Sequence, residues 1–309
     1  MSYIYEELKD VTVLCEMSVY KYIKEYIDNI FPDRPILLWN VMLFNELELE
    51  DNKHYLSIMY VPYIYGDAIR FIPGTWRYSP IISKKDVIEI YEGTSVRDTF
   101  VNIDPSQQNV PYNIPVFPKG CKVSFLNIEH LTDKYSLEYI QRKLSDKIDL
   151  YHHSPASVRI MGRGKCIPYR ITDAETEKLK RYLGAYKKYD VCVVGNCSRR
   201  RKYIVNELFK KMITVLTIGE ISKCTGLNDK YAMHGDERDA HIGEARILLN
   251  IHLRPCWTVY ESIRCDRWAA AGMPIISETS VAPGAPPGVI ECSYDDIVTT
   301  VVRELAKLK

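Results

Sequence analysis

Short apolar segments alternate with amphipathic segments along the second half of the chain. Strands are predicted at 190–195, 212–219, 246–252, 274–278 and 289–292, and helices at 173–188, 199–211, 258–271 and 294–309. Continuous apolar strands separated by helices are typical of a parallel sheet that is covered on both faces. The pattern therefore predicts a doubly wound α/β domain, in which ligands bind at the carboxyl ends of the strands.

The first 165 residues follow a less regular pattern, and a stretch rich in proline and turn-forming residues lies between 93 and 120. The predicted elements are apolar segments at 36–44 and 55–65, strands at 121–128 and 148–151, and a helix around 135–147. We interpret this half as a second α/β domain. The predicted domains are residues 1–170 and 171–309.

The charge of the chain is almost balanced, because 41 basic residues face 40 acidic residues among 309 and give a net charge of +1. A protein that binds nucleic acid or an anionic membrane by bulk charge is normally basic. We therefore expect no nucleic-acid partner, and we expect any bound anion to be held by a local cluster.

The nine cysteines are an odd number and include no Cys-x-x-Cys pair. This usage disfavours a disulfide framework and a cysteine zinc site, and it favours a reducing compartment, so we expect a cytoplasmic protein. No apolar stretch approaches the roughly 18 residues of a transmembrane helix, and the N-terminus lacks the basic region of a signal peptide.

A basic run, Arg199–Lys202, opens the helix that follows the 190–195 strand, directly after Ser198. Cations at a helix N-terminus are unfavourable by tenths of a kcal/mol each, and a bound phosphate would reverse that effect. A solvated basic face or a nucleic-acid patch is the alternative. We favour phosphate binding by Ser198, Arg200 and Arg201, although spacing does not decide which arginine faces inward.

A second candidate lies between 249 and 264, where a strand ends in polar residues and a turn leads into a helix. Thr258-x-x-Glu261 matches a capping box, in which the carboxylate bonds back to the cap. The same carboxylate could instead bind a ribose diol, and the sequence favours neither interpretation. With His252 and Glu278, polar residues follow three successive strands, near 196, 252 and 278, as at a nucleotide-binding rim.

Several motifs are missing from the sequence. Without Gly-x-Gly-x-x-Gly, a nicotinamide or flavin dehydrogenase is disfavoured, and Gly162-Arg-Gly-Lys165 lacks the spacing of a P-loop. His152 and His153 have no companion ligand at metal-binding spacing, and no Asp-x-Asp follows a strand. We therefore expect no metal site.

Six segments together resemble a known family. They are Asn127-Ile-Glu129-His-Leu131-Thr132, Ile167-Pro-Tyr169, Asp190-Val-Cys-Val-Val-Gly195-Asn-Cys-Ser198-x-Arg200-Arg201, Lys230-Tyr-Ala-Met-His-Gly235 with Arg238-Asp239, Leu248-Leu-Asn250-Ile-His252 with Glu261-x-x-Arg264, and Gly272-Met-Pro274-Ile-Ile-Ser277-Glu278. Over about residues 120–290 the chain resembles GT-B glycosyltransferases, particularly the retaining family 4 group and its giant-virus and bacterial relatives.

The resemblance implies an α/β, GT-B fold, with two Rossmann-like doubly wound domains facing a cleft. It also implies sugar transfer from a nucleoside-diphosphate sugar, bound by the C-terminal domain, to an acceptor on the N-terminal domain, without a metal. The residues implied are catalytic Arg200, Arg201 and Glu261; donor-binding Gly195, Asn196, Ser198, Tyr231, Trp257, Thr258, Val259 and Glu261; and acceptor-side Asn127 and Glu129. Glu261 would contact the ribose, and backbone N–H groups of 257–259 would help to hold the diphosphate.

The sequence thus leads to the expectation of a metal-independent, retaining hexosyltransferase with no cofactor. A GDP-sugar such as GDP-mannose is favoured over a UDP-sugar, and the acceptor is a glycan or a glycoprotein. The alternatives are a nucleotide-sugar epimerase of the same fold and a non-enzymatic module that binds anions or nucleic acid through Arg199–Lys202. If the viral resemblance holds, the compartment is the cytoplasm of an infected host.

Overall fold

The structure is a computed structural model. It describes residues 6–39, 49–58, 61–65, 68–72, 117–118, 120–128, 144, 146–226, 234–281 and 284–308. Predicted elements that fall outside these ranges include nearly all of the helix around 135–147 and most of the proline-rich stretch between 93 and 120.

A parallel sheet of six strands occupies the first half of the chain. In chain order the strands of this half are β1 (Val11–Glu16), β2 (Ile36–Trp39), β3 (His54–Ile58), β4 (Val61–Tyr65), β5 (Ala68–Ile72), β6 (Lys122–Asn127), β7 (Asp149–His152) and β8 (Lys165–Cys166). The sheet has the order β2-β1-β3-β6-β7-β8, and β4 and β5 form a separate antiparallel hairpin.

The centre of this sheet carries buried apolar side chains on both faces. Val13 in β1 is paired in register with Leu56 in β3, and Phe125 lies in β6, beside β3; all three side chains are buried. The sequence analysis missed β1 and the helix that follows it, α1 (Met17–Ile30). The prediction of an α/β first half is confirmed, because the sheet is parallel and helices connect its strands.

A second parallel sheet occupies the C-terminal half. Its strands are β9 (Tyr189–Val194), β10 (Val215–Ile218), β11 (Ala245–Asn250), β12 (Ile275–Glu278) and β13 (Ile290–Cys292), in the order β10-β9-β11-β12-β13. All five strands were predicted from the sequence, within a few residues at each end. The strands β9 to β12 are largely apolar because helices cover both faces of the sheet, whereas the edge strand β13 carries the exposed Glu291.

The remaining helices are α2 (Pro155–Met161), α3 (Asp173–Leu183), α4 (Arg199–Lys210), α5 (Glu220–Thr225), α6 (Gly235–Gly243), α7 (Ser262–Ala270) and α8 (Ile297–Lys307). The sequence analysis missed α2, α5 and α6, and it began α7 and α8 too early. Among the described helices, none is both long and apolar enough to cross a membrane.

The order of strands fixes where a ligand can bind. In the second sheet the chain adds β10 on one side of β9 and then returns to add β11 on the other side. The first sheet does the same around β1, with β2 on one side and β3 on the other. The connections leave in opposite directions at such a point and open a crevice at the carboxyl ends of the strands.

The predicted domain boundary at 170/171 falls between the last strand of the first sheet and the first strand of the second.

Close packing of α6 on α3 depends on a glycine. A Cβ atom added at Gly243 would lie 2.6 Å from the carbonyl oxygen and 2.7 Å from the carbonyl carbon of Tyr182. These are backbone atoms, so the two helices would have to separate. We expect Gly243→Ala to destabilise the protein by about 1–3 kcal/mol, as overpacking does, and to lower the melting temperature measured by circular dichroism.

Gly184→Ala is the matched control, because an added Cβ there meets its nearest atom, the carbonyl oxygen of Arg181, at 3.4 Å, and Gly184 has a helical φ of −71°. This variant is expected to melt at or slightly above the wild-type temperature. Equal melting temperatures for the two variants would contradict the packing argument.

Candidate functional site

A cavity of about 380 Å³ lies where the carboxyl ends of the two parallel sheets face each other. The first sheet contributes Ile128 and His153, which follow β6 and β7, and α1 adds further side chains. The second sheet contributes Gly195 and Gly219, which follow β9 and β10, and the segment after β11 adds Trp257. The cavity therefore occupies the edge of each sheet at which α/β proteins bind ligands.

Charged side chains of both signs line this cavity. They are Glu25, Glu220, Glu261, Arg201, Arg238, Arg264 and Arg267. The arginines form two separate ion clusters, one beside the turn after β9 and one between helices α1, α3, α6 and α7. The two clusters differ in net charge.

The turn after β9 depends on Gly195. This residue has a φ of +129°, and its N–H donates to the carbonyl of Ile218 at 2.8 Å. A Cβ atom there would lie 2.7 Å from Nη1 of Arg201 and 3.1 Å from Nη2 of Arg264. Only glycine combines this backbone conformation with the space that two guanidinium groups need.

Arg201 is the buried arginine of the basic run, with a side chain only 2% exposed. Its Nε donates to the carbonyl of Ile251 at 2.8 Å, and its Nη1 donates to the carbonyl of Asn196 at 3.1 Å. Its Nη2 donates to Oε1 of Glu261 at 3.1 Å. Burial lowers the pKa of Arg201 to about 10, while Glu261 acts in the opposite direction, so the guanidinium stays charged at neutral pH.

Glu261 joins Arg201 to a second arginine, because its Oε2 lies 2.5 Å from Nη2 of Arg264. The Nη1 atom of Arg264 is buried and has no hydrogen-bond partner among the residues that the structure describes. One carboxylate thus faces two guanidinium groups, and we call Arg201, Glu261 and Arg264 the arginine pair cluster. Its net charge is +1, and it lies beside the N-terminus of α4, which adds positive potential.

The interpretation of Thr258-x-x-Glu261 as a capping box is wrong. Glu261 is itself the N-cap residue of α7, and its side chain makes no capping hydrogen bond. The chain from 253 to 261 is irregular, so the helix begins four residues later than predicted. The N–H of Trp257 donates to the carbonyl of Arg254 at 3.0 Å, so a turn already uses one of the backbone groups that were expected to hold a diphosphate.

Arg200 lies in a different environment from Arg201, because consecutive helical residues point about 100° apart. Its guanidinium forms an ion pair with Glu278 and lies 3.8 Å above the ring of Tyr294. Glu278 in turn accepts the backbone N–H of His252 at 3.0 Å. Arg200, Glu278 and His252 are not among the described residues that line the cavity.

The other predicted donor-binding residues differ in their position. Asn196 and Trp257 line the cavity with Gly195, whereas Ser198 caps α4, its Oγ accepting the N–H of Arg201 at 3.2 Å. The carbonyl of Thr258 accepts the N–H of Val281 at 2.7 Å, and Val259 is buried. Tyr231 and the acceptor-side Glu129 lie outside the described residues, so their predicted roles remain predictions.

The second cluster, which we call the Arg267 cluster, joins four helices. Both carboxylate oxygens of Asp239 accept from Arg267, at 2.9 and 2.8 Å, and Oε1 of Glu175 accepts from it at 2.7 Å. Arg238 donates to Asp239 and to Glu25, at 3.0 Å in each case. Three carboxylates and two guanidinium groups give this end of the cavity a net charge of −1.

The sequence analysis missed Arg267, Glu175 and Glu25 as members of the site. Arg238 and Asp239 stood only in a motif of the resemblance. The available signal was the helical spacing that puts charged residues on inward faces, but the sequence does not tell which of the many charged helix positions are buried.

Two consecutive histidines support the first-sheet side of the cavity. Asn127 Nδ2 lies 3.2 Å from Nδ1 of His152, and the carbonyl oxygen of Asn127 lies 3.4 Å from Nδ1 of His153. Asn127 is buried and does not itself line the cavity, whereas His153 does. Burial lowers the pKa of each histidine to about 4, so both rings are neutral at pH 7.

The sequence disfavoured a disulfide framework, but Cys197 and Cys224 form one disulfide. Cys197 follows Asn196 in the cavity wall, and Cys224 lies at the end of α5, the helix that begins at the cavity with Glu220. The other seven cysteines are not disulfide-bonded. Sequence spacing did not reveal the pair, because 27 residues separate its members and the fold brings them together.

No group of three or more histidine, cysteine or acidic side chains is placed to hold a metal ion in the part of the chain that the structure describes. Metal independence remains a prediction.

Comparison with known proteins gives relatives but no characterised family. No family model matches the sequence. Three uncharacterised proteins of Acanthamoeba polyphaga mimivirus are similar to it: one is 31% identical over 198 residues (62% of this chain, 21% of the relative), one 31% over 192 (60% and 25%), and one 32% over 191 (59% of each). The chain thus spans between about a fifth and three fifths of the length of these relatives.

A comparison with solved structures finds a crystal structure of GsuK bound to ADP. It is 12% identical, has a TM-score of 0.26, and the match covers 97% of this chain and 69% of that one.

Asp239 is the residue on which the Arg267 cluster depends. We expect Asp239→Asn to destabilise the protein by about 3–5 kcal/mol, because it leaves a buried guanidinium without its bidentate partner. Asp236→Asn, on the same helix, is the control: that carboxylate is 70% exposed and pairs with Lys178, so its loss costs at most about 1 kcal/mol. Thermal unfolding measures both, and a similar shift for the two variants would contradict the assignment.

The buried histidines predict a loss of stability in acid. An unfolded histidine takes up a proton near pH 6.5, whereas folded His152 and His153 do so only near pH 4. Between these values the unfolded state binds more protons, so stability falls as the pH falls, by up to about 1.4 kcal/mol per pH unit for each histidine. We expect His153→Gln to flatten the dependence of the unfolding free energy on pH from 6.5 to 4.5. An unchanged slope in this variant would show that His153 is not a buried neutral group.

Proposed function

We propose that this chain is a GT-B glycosyltransferase that moves a sugar from a nucleoside-diphosphate sugar to an acceptor without a bound metal. The observation that carries the proposal is the cavity between the carboxyl ends of two parallel sheets, with two arginines converging at one end. Its volume of about 380 Å³ lies within the usual range of small-molecule sites, roughly 300–1,000 Å³.

The chemistry that such a site performs is stabilisation of a leaving group. When the bond between the sugar and the diphosphate breaks, negative charge develops on the diphosphate. Preorganised positive groups stabilise that charge in the transition state, and this electrostatic effect is commonly the largest in catalysis. In our proposal Arg201, Arg264 and the N-terminus of α4 supply it, in place of a metal ion.

Arg201 and Arg264 replace Arg200 and Arg201 as the proposed diphosphate ligands. Both line the cavity, and both approach Gly195 within about 3 Å of where its Cβ would be. Arg200 is held by Glu278 and Tyr294 instead. We assign Arg200 a structural role, in which it links the start of α4 to the end of β12.

The negative net charge at the other end of the cavity is complementary to the hydroxyl and amino groups of the rest of the donor. Carboxylates accept hydrogen bonds from hydroxyl and amino groups, which a ribose, a hexose and a guanine all carry. Glu25, in the net negative Arg267 cluster, comes from the first half of the chain and lines the cavity. A ligand with an anionic part and a hydroxyl-rich part matches this distribution. We keep a GDP-sugar as the favoured donor, with retention at the anomeric carbon.

A nucleotide-sugar epimerase is a second candidate, and one observation favours it. His153 and Glu261 line the same cavity, and the Glu261 carboxylate is close enough to act on the pKa of His153. An epimerase needs an acid and a base near the sugar, and a histidine and a carboxylate can supply them. It would convert the donor with no acceptor present.

The third alternative, binding of nucleic acid through Arg199–Lys202, is disfavoured because the side chains of the run lie in different environments, with only Arg199 and Lys202 exposed. Arg201 is buried and Arg200 is engaged with Glu278, so the four residues do not form one exposed basic patch.

For the acceptor we propose a glycan or glycoprotein. We propose the cytoplasm as the compartment, which for a virus-encoded enzyme is that of the host. It is supported by the cysteine usage, because seven of the nine cysteines are not disulfide-bonded. The three mimivirus relatives support a viral setting.

Nucleotide binding tests the proposal. We expect GDP, and more weakly UDP or ADP, to raise the melting temperature, with or without EDTA. Arg264→Gln should weaken GDP binding at least tenfold, because a charge-assisted phosphate contact is lost. Arg200→Gln is the matched control and should bind GDP within about twofold of the wild type.

The outcomes separate the alternatives. Absence of stabilisation by any nucleotide would overturn the proposal, and loss of binding in EDTA would overturn metal independence alone. An equal loss in Arg200→Gln would return the diphosphate role to Arg200. If NMR shows an isomer when the protein is incubated with a nucleotide sugar alone, the epimerase is the better description.

A further inference from the structure

Glu261 occupies a position that an anionic ligand would compete for. Its two carboxylate oxygens are both engaged, Oε1 by Arg201 at 3.1 Å and Oε2 by Arg264 at 2.5 Å. It lines the cavity, with a side chain that is 14% exposed. A carboxylate with both oxygens on arginines has little capacity left for a ribose diol, which is the role the resemblance implies.

The two arginines are held differently. Arg201 is fixed by the backbone carbonyls of Ile251 and Asn196, so its position does not depend on Glu261 alone. The buried Nη1 of Arg264 has no hydrogen-bond partner within the described ranges of the chain, and the side chain is 23% exposed. Buried donors are nearly always satisfied in folded proteins, so this atom points to an acceptor supplied by a ligand.

The charges of the cluster select among anions. A single carboxylate leaves one positive charge unbalanced on the two guanidinium groups. An anion with two or more negative charges interacts more strongly with both arginines than Glu261 does, whereas a monoanion gains nothing over it.

From this geometry we infer that Glu261 is the counter-ion of Arg201 and Arg264, a positioning residue that a pyrophosphate group displaces from them. Glu261 thereby holds the two arginines in place when the site is empty. Only an anion with two or more negative charges displaces it from them. This inference deepens the proposed function and rests on it for the identity of the complete ligand, but the anion subsite can be tested on its own.

Inorganic pyrophosphate is the probe, because it carries the charge of a diphosphate and has no ribose. We expect Glu261→Gln to bind pyrophosphate at least fivefold more tightly than the wild type, since the competing charge is gone and the amide keeps the shape of the side chain. Isothermal titration calorimetry at fixed ionic strength measures the dissociation constants. Orthophosphate, titrated in parallel at a mildly acidic pH where it is mainly a monoanion and pyrophosphate still carries at least two charges, should bind the wild type at least tenfold more weakly than pyrophosphate does.

Glu220→Gln is the matched control. Glu220 lines the same cavity from α5, and its replacement removes the same charge from another part of the wall. A gain in pyrophosphate affinity below twofold is expected. Equal gains in the two variants would show a general effect of charge and overturn the specific role of Glu261.

The ribose role predicts the opposite pattern. If Glu261 binds ribose, Glu261→Gln weakens GDP binding and leaves pyrophosphate binding unchanged, and the inference falls while the proposed function stands. If no nucleotide binds but pyrophosphate binds more tightly to Glu261→Gln, the inference stands and the proposed function falls. Failure of pyrophosphate to bind either protein overturns the inference.

Folding of the variant is verified by its melting temperature. Should Glu261→Gln be unfolded, Arg264→Gln tests the anion site instead, because it removes one of the two arginines that Glu261 contacts. That variant is expected to lose at least tenfold in pyrophosphate affinity, and an unchanged affinity would exclude Arg264 from the anion site and overturn the inference.

Discussion

The buried ion cluster around Arg267 is the interaction on which the geometry of the cavity depends. Arg267 lies in α7, and its carboxylate partners come from α3 and α6, with Arg238 extending the cluster to Glu25 in α1. A guanidinium in this position is stable only with its carboxylates in place, because an unpaired buried charge costs several kcal/mol. The cluster therefore fixes the first half of the chain against the second at one wall of the cavity.

A second consequence of this arrangement is the separation of charge along the cavity. The arginine pair cluster is net positive beside the turn after β9, and the Arg267 cluster is net negative between the helices. Both contain arginine, so composition alone would place two positive sites here. What distinguishes them is the number of carboxylates that the fold brings to each one, which is a property of tertiary structure.

The sequence predicts the second sheet well, because β9 to β12 are largely apolar runs of four to six residues whose burial leaves a clear pattern. It predicts β1 and α1 poorly, since a six-residue strand passes directly into the helix with no turn residue between them. Of the site, Arg201 and Glu261 were found from the polar ends of predicted strands. The sequence did not show which arginine of the basic run faces the cavity. Neighbouring positions on α4 point in different directions, and the packing of the helix decides which of them points inward. The roles of Arg267 and of the disulfide were not predicted, because their partners are distant in the sequence and residue spacing does not reveal such contacts.

The disulfide between Cys197 and Cys224 links two segments of the cavity wall that are already joined by backbone hydrogen bonds between Gly195 and the 218–221 segment. It closes a loop with a sequence separation of 27 residues, and the loss of chain entropy in the unfolded state corresponds to about 3.5 kcal/mol. Reduction would leave the hydrogen bonds intact and remove only the covalent tie. The covalent bond in this wall therefore persists only where the surroundings keep Cys197 and Cys224 oxidised.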